Sequence, residues 1–383
     1  MPKRGAADIK HVAATRTDWI LLLAVWLLLS FGLIFVYSSS AVHSINRFNT
    51  PTHYLYSHAS KCLMGLLLLW VCSRVPIDVW RRHALLIFCL SVLLLLAVLV
   101  PGIGLVKGGA RRWLSLGFMT LQPSELAKLA AVIAVASVLT RRELAPPMQR
   151  KSLLIPAFLA QIPVVLILAE PDLGTALVIE LIVGIMIFTA GVRLRVLAML
   201  LLAVLPVFYH LLLSTPFRLR RLLAYVDPWA YRQTVGYQLS EALISVGSGG
   251  FFGLGLGEGK HGLFFLPEAH TDFIFAIVAQ ELGFFGVIVL LAAFIVVVWR
   301  GLSIVLRAES TFERYLGIGL LALVAVPAIF NLAVVTGLLP TKGLPLPFIS
   351  YGGSNLVVTL AAVGLLLRIQ QDTQSGAGVE LRN

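Results

Sequence analysis

The chain has 383 residues, of which 59% are hydrophobic and 13% charged, with a net charge of +12 and a mean hydropathy of +0.93. Such a composition is far more apolar and less charged than that of a soluble globular protein, so lipid is the expected solvent. The three cysteines, Cys62, Cys72 and Cys89, lie in or at the edges of apolar runs without metal-ligand spacing and do not report on redox compartment.

A bilayer-spanning helix needs about twenty mostly apolar residues. In chain order, suitable runs occur near 19–37, 60–75, 84–100, 122–139, 152–169, 173–191, 194–213, 272–299, 312–338 and 353–368. They predict an all-α integral membrane protein of about ten transmembrane helices, with one long outer loop, about 214–271, between helices 7 and 8. Lys3, Arg4, Lys10 and Arg16 precede the first run, and no small-residue cleavage pattern follows it. Residues 1–18 therefore read as a cytoplasmic segment ahead of a retained anchor, 19–369 as one membrane domain and 370–383 as a cytoplasmic tail. Alternating sides from there groups Arg74, Arg81, Arg82, Arg141, Arg142, Arg150, Lys151, Arg193, Arg195, Arg300, Arg307 and Arg314 with the N-terminus. The positive-inside rule makes that side cytoplasmic, and anionic inner-leaflet lipids suit it.

The opposite side, where few basic residues are expected, carries Lys107, Arg111 and Arg112 in one loop and Arg218, Arg220 and Arg221 in another. An anionic partner is expected there. The glycine-rich stretch Gly247 to Gly257 follows no strand and is not succeeded by Gly-Lys-Ser/Thr, so a nucleotide loop is rejected. It reads as a re-entrant or interfacial loop in which glycine permits close backbone packing.

Four helices open on the outer side with polar, proline- or glycine-marked segments: Gln122 to Lys128, Glu170 to Thr175, Leu266 to Asp272 and Pro347 to Ser354. Helix capping accounts for each segment, and Glu125 three residues after Gln122 resembles a capping box. An ionisable residue within a span also suggests a site. Ser124, Glu125 and Lys128 share a helix face, and converging helix N-termini suit a diphosphate. Asp272 stands at the boundary between outer loop and hydrocarbon, where partial desolvation would favour a general base; a plain helix cap is the competing reading. Glu268 and His270 read as loop supports. The segment 337–354 is too rich in proline and glycine for a helix, and its Lys342 could meet a phosphate or snorkel to headgroups. Ser350 and Tyr351 have no His or Asp partner nearby in sequence, which leaves a serine hydrolase unsupported.

Taken together, Gly109-Ala-Arg-Arg-Trp113, Gln122-Pro-Ser-Glu-Leu-Ala-Lys128, Pro171-Asp-Leu-Gly174, Gly236-Tyr-Gln238, Leu266 to Phe275 and Leu346-Pro-Phe-Ile-Ser-Tyr-Gly-Gly353 resemble the SEDS family of bacterial membrane proteins (shape, elongation, division and sporulation) over nearly the whole chain. Leu339-Pro-Thr-Lys-Gly343 and Pro267 to Asp272 resemble its division branch more than its elongation branch. Departures are Ala279-Gln-Glu-Leu-Gly283, where an acidic pair is usual, and Asn355, where serine is common.

The resemblance implies a peptidoglycan glycosyltransferase that joins lipid II into β-1,4-linked strands on the outer face of the inner membrane, at the division septum. Carried over, Asp272 is the general base for the acceptor 4-hydroxyl. Arg111, Lys128, Arg218 and Arg221 hold diphosphate or position the donor, with Glu125 and Asp172 orienting the basic groups. Arg112, Gln122, Ser124, His270, Lys342 and Ser350 complete the expected substrate-binding set. No bound cofactor is implied, although a divalent cation, Mg2+ or Mn2+, could assist the diphosphate. The implied partners are lipid II, the nascent glycan strand, membrane lipids, a class B penicillin-binding protein of the FtsI transpeptidase type and divisome regulators; no nucleic acid is expected. A lipid flippase or transporter and a non-enzymatic scaffold are the competing readings from other classes.

Overall fold

The computed structural model describes residues 17–115, 119–143, 154–192, 216–259 and 269–380, with isolated positions 117, 195, 198, 199, 202, 206 and 266. Its helices are α1 (Trp19–Phe48), α2 (His53–Arg74), α3 (Ile77–Arg82), α4 (Ala84–Leu99), α5 (Pro123–Glu143), α6 (Leu154–Ala169), α7 (Leu173–Thr189), α8 (Pro216–Val226), α9 (Tyr237–Ser248), α10 (Ile274–Arg307), α11 (Thr311–Val335) and α12 (Gly353–Glu380). Six of the described helices are long and apolar enough to cross a membrane, and Ala84–Leu99, Ile155–Ala169 and Leu173–Thr189 are shorter apolar helices. The expected span at 194–213 lies, apart from isolated positions, outside the described residues.

Three departures from the expected elements have local causes. α1 runs past residue 37 to Phe48 because the hydroxyls of Ser39 and Ser40 donate to the carbonyls of Phe35 and Val36 (both 2.5 Å), which lets a buried helix carry a serine run. The connection after α4 is a small antiparallel sheet, β1 (Gly104–Lys107), β2 (Ala110–Ser115) and β3 (Thr120–Leu121), so the protein is not purely α-helical. Gly108 and Gly109, both at positive φ, form the two-residue turn that pairs Lys107 with Ala110. The described part of the long connection before α10 holds two helices, α8 and α9, so it is not wholly a loop.

α5 and α12 are the central helices, with 83% of their apolar windows buried against 28% for α2. In α5 the contacts come from small residues, Ala127, Ala130, Ala131, Ala134 and Ala136, which let neighbouring helices approach. α2 lies along α12 so closely that a side-chain carbon at Gly364 would stand 2.4 Å from the Leu69 carbonyl oxygen. At the end where the described N- and C-terminal residues meet, the Asp18 carboxylate accepts from Leu21 N–H (3.0 Å) and from Arg300 of α10 (2.6 and 2.9 Å). The Asp18 N–H donates to Gln370 of α12.

Two non-helical segments pack on the helices, one buried and one largely exposed. Residues 339–352 bury Leu344, Leu346, Phe348 and Ile349, with Gly32 of α1 fitted against the Phe348 carbonyl. The glycine-rich segment docks on a break in α10 at Gly283 (φ 64°, ψ −161°). Leu254 and Gly255 N–H donate to the carbonyls of Gln280 and Glu281 (3.0 and 3.1 Å). In return, Phe284 and Phe285 N–H donate to those of Gly250 and Phe251 (2.9 and 3.2 Å). The loop thus takes up the backbone groups that the break leaves over, which is what membrane depth demands, and the close-packing role expected of these glycines is the one observed.

Gly253 (φ 78°) has no room for a side chain, since a Cβ would stand 2.1 Å from the Glu281 carbonyl oxygen, whereas Gly257 (φ 79°) has open space around it. Gly253→Ala is expected to cost about 2 kcal/mol or more, and Gly257→Ala about 1 kcal/mol from backbone strain alone. Thermal unfolding of the two variants in detergent, side by side, checks the order.

Candidate active site

The site lies at the end of the bundle away from Asp18 and Arg300, where α5, α7, α10 and α12 begin. Lys128 is 2% exposed and its ammonium is 2.8 Å from the Glu125 carboxylate, itself 4% exposed. Asn355 of α12 donates to the same carboxylate (3.1 Å), and Ser354 Oγ accepts the Gln122 N–H (2.8 Å). The expected capping box therefore does not form: the N–H it would give to Glu125 goes to α12. Lys128 and Glu125, which share a helix face, meet as expected, and Asn355 adds α12 to the pair. Ser124 is fully buried beside this pair, and its hydroxyl has no hydrogen-bond partner.

Successive β2 residues face opposite ways, which separates the two arginines. Arg111 folds back along Gly104 and donates to the Leu99 carbonyl at the end of α4 (3.2 Å), so it does not join Arg112. Arg112 instead straps the α6–α7 turn, donating to the carbonyls of Glu170 (2.9 Å) and Pro171 (2.6 Å), with Asp172 3.8 Å away. Asp172 both orients Arg112 and caps α7, accepting from the N–H (3.1 Å) and hydroxyl (2.9 Å) of Thr175. Glu170, which the sequence reading did not single out, is fully buried, and among the described residues neither carboxylate oxygen has a hydrogen-bond partner. Burial pushes its carboxyl up to about 8, the Asp172 charge adding to the shift and Arg112 opposing it.

Asp272 stands in the turn just before α10, whose cap position is Phe273 and carries no side-chain cap hydrogen bond. Its surroundings are rigid. Asn331 of α11, buried and absent from the expected set, donates to the backbone carbonyls of both Asp272 and Leu344 (2.7 Å each). Gly343 lies so close that a Cβ there would stand 2.8 Å from the Asp272 carboxylate oxygen. A side chain at position 343 would crowd that carboxylate, which glycine does not.

On its other side Asp272 meets charge from α8. Burial lowers the Arg221 guanidinium from its ordinary value, the Asp272 charge opposing the shift and Arg112 adding to it, so the three groups share one field. Tyr225 of α8 anchors the helix through its hydroxyl to the Leu338 carbonyl (3.0 Å). Lys342 is partly buried in the strap above Asp272. The Arg218 side chain, and Glu268 as a whole, lie outside the described residues.

His270 and Tyr351 form the remaining wall. The Tyr351 N–H donates to the His270 carbonyl (2.9 Å), and the two rings gather with Tyr54 of α2 and His43 of α1 at centroid separations of 5.0–6.1 Å. Ser350 turns inward, its hydroxyl accepting the Leu346 N–H (2.8 Å), and so closes a turn rather than facing a ligand. Among the described residues no group of three or more His, Cys, Asp or Glu side chains could hold a metal ion. The donor set does not fit a resident divalent cation, and no step is routed through one.

The cell cycle protein family FtsW/RodA/SpoVE matches residues 19–375. A probable peptidoglycan glycosyltransferase FtsW of Coxiella burnetii is 42% identical over 360 residues, covering 93% of this chain and 96% of its own. The protein so described in Legionella pneumophila is 42% identical over 92% of this chain and 90% of its own. Among solved structures, one from work on structural coordination of polymerization and crosslinking by a peptidoglycan synthase complex superposes with a TM-score of 0.78 at 31% identity, covering 93% of this chain and 98% of the other. The rod shape determining protein RodA of Thermus thermophilus superposes with a TM-score of 0.69 at 30% identity, covering 93% and 97%.

Because Glu125 and Lys128 are buried together, Glu125→Gln or Lys128→Met alone is expected to cost about 3–5 kcal/mol by stranding a charge, whereas the double variant recovers much of that loss. Thermal unfolding of all four proteins measures this coupling. Glu170 has a folded value above its unfolded one, so the folded state holds the proton more tightly. Its contribution is full below the unfolded value of 4.5 and is lost as pH rises through about 8. A melting-temperature profile from pH 5 to 9 should fall less steeply for Glu170→Gln than for the unchanged protein.

Proposed function

The chain belongs to the FtsW/RodA/SpoVE family of cell cycle proteins, and we propose that it is a multi-pass membrane peptidoglycan glycosyltransferase that polymerises lipid II at the division septum. The observation that carries the mechanism is the setting of Asp272: a carboxylate held by its own backbone through Asn331, bared by Gly343, and in the field of Arg221 and Arg112. A carboxylate so placed is suited to take a proton from a sugar hydroxyl while the adjacent guanidinium groups meet a departing anion.

The reaction runs as one displacement. Asp272 accepts the proton of the acceptor's 4-hydroxyl as that oxygen attacks the donor's anomeric carbon. The carbon–oxygen bond to the lipid diphosphate breaks, the diphosphate leaves with the electron pair, and the anomeric centre inverts to give a β-1,4 linkage. Arg112 and Arg221 bring fixed positive charge to the leaving group, and Lys342 in the strap is placed to add a third. Asp172 and the two carbonyls at the α6–α7 turn hold Arg112 in its aim. Arg111, engaged at the end of α4, and Lys128, closed against Glu125, support the walls.

The relatives named FtsW favour division over elongation. The similar structure of a synthase complex that coordinates polymerization with crosslinking supports a transpeptidase partner of the class B type.

The test is the length of product formed from labelled lipid II by the purified protein, alone and with its cognate transpeptidase. Polymer is expected from the unchanged protein, and Asp272→Ala should lower the rate by a factor of about 100 to 10,000, as loss of a general base does. Polymer formed at an unchanged rate by Asp272→Ala would remove Asp272 from the chemistry. Protein-dependent lipid movement in vesicles without polymer would favour the transporter reading.

A further inference from the structure

Lys61 of α2, partly buried at the start of an apolar run, is a second lysine near the site, and its ammonium lies on a ring where that of Lys128 lies on a carboxylate. Eight residues beyond His53, it lies about 12 Å along the helix from the outer end. Among the described residues it takes part in no ion pair; its ammonium rests 4.1 Å from the centroid of the Tyr351 ring. The lysine stem is pressed against the start of α12, where a Cβ at Gly353 would stand 2.9 Å from Lys61 Cδ. Tyr351 is itself fixed, by the hydrogen bond between its hydroxyl and Ser57 (2.9 Å) and by its N–H on the His270 carbonyl. His270 is two residues from Asp272 in the chain.

A cation at membrane depth is costly, and ordinarily a carboxylate offsets it, as Glu125 does for Lys128. The face of an aromatic ring attracts an ammonium and fixes where it sits, but leaves its charge in place. Lys61 is thus a positive charge held ready at the site without an anion of its own. Arg112 and Arg221 supply charge from the β2 and α8 side of Asp272, and Lys61 supplies it from the α2 and α12 side. A lipid-borne diphosphate carries more than one negative charge and is met best by cations on two sides.

We propose that Lys61 is a substrate-binding residue whose ammonium, seated on the Tyr351 ring, pairs with the diphosphate of the lipid-linked glycan. The assignment rests on the reading of Asp272 as the reaction centre. It adds α2 to the elements that bind substrate, and it gives Tyr351 the role of a positioning residue that acts through Lys61.

The experiment uses the full-length protein in nanodiscs, with Lys61→Gln removing the charge and Lys61→Arg keeping it. Initial rates on labelled lipid II give kcat and KM, and sugar-free undecaprenyl diphosphate serves as a competing ligand beside undecaprenyl monophosphate and phosphatidylglycerol. Lys61→Gln is expected to raise KM and the inhibition constant of the diphosphate by about tenfold while kcat falls less, and Lys61→Arg to recover most of that affinity. Phosphatidylglycerol should compete poorly with both variants and with the unchanged protein. Unaltered diphosphate inhibition in Lys61→Gln, or equal loss in Lys61→Gln and Lys61→Arg, would overturn the proposal in favour of a packing clamp. Competition by phosphatidylglycerol as strong as by the diphosphate would also overturn it, in favour of an annular lipid contact. If the unchanged protein makes no polymer, the proposed function itself fails. If it polymerises and Lys61→Gln matches it in every constant, only the role of Lys61 is lost.

Discussion

Hydrocarbon offers no hydrogen bonds, so every backbone group at membrane depth must be satisfied from within the chain. The arrangement of this protein follows from how it meets that demand where it is not helical. The break of α10 at Gly283 is made tolerable by the glycine-rich segment, whose own N–H and carbonyl groups exchange four hydrogen bonds with the two sides of the break. The 339–352 strap is held by Asn331, by Ser350 and by the backbone of His270. Asp272 and His270 are thereby fixed to the same frame that satisfies the strap. One set of hydrogen bonds keeps irregular backbone in the membrane and holds a carboxylate in place.

The same demand, applied to charge, divides the basic residues into two kinds. Lys128 and Arg300 are paired with Glu125 and Asp18, and each pair joins helices distant in sequence or adjacent turns of one helix to a neighbour. Such pairs hold register at a desolvation cost. Arg112 and Lys61 are held differently: Arg112 by the carbonyls of Glu170 and Pro171 with Asp172 3.8 Å away, Lys61 by the ring of Tyr351. A site for an anionic substrate needs the second kind, and the first keeps its walls from moving.

The sequence made most of the helices legible, because about twenty apolar residues in a row admit few other structures in lipid. It also placed Asp272, Asp172 and Arg112 at one end, since proline, glycine and acidic residues mark helix starts there. What it did not reveal depends on contacts across the chain. The serine run that extends α1 looks like an ending until its hydroxyls are seen to bond the preceding turn. Neighbouring Arg111 and Arg112 look equivalent, and only the pairing of β2 sends them to different places. Asn331 sits near the C-terminal end of α11 in an apolar run; its signal was that isolation, one amide where a span favours none, and its two carbonyl partners lie 59 and 13 residues away.

Asn331 also shows how the turn that carries Asp272, the proposed base, is held. A carboxylate within α10 would point into the bundle with the apolar residues from Ile274 to Ala279, all of them buried. One turn earlier it can face the outer end, but a turn is less well held than a helix. The amide of Asn331 supplies the missing constraint by clasping the carbonyl of Asp272 and that of Leu344 at once, so the base and the strap above it move together or not at all. The side chain is partly exposed while its backbone carbonyl is tied to α11, which is the kind of constraint that precise positioning of a reacting group requires.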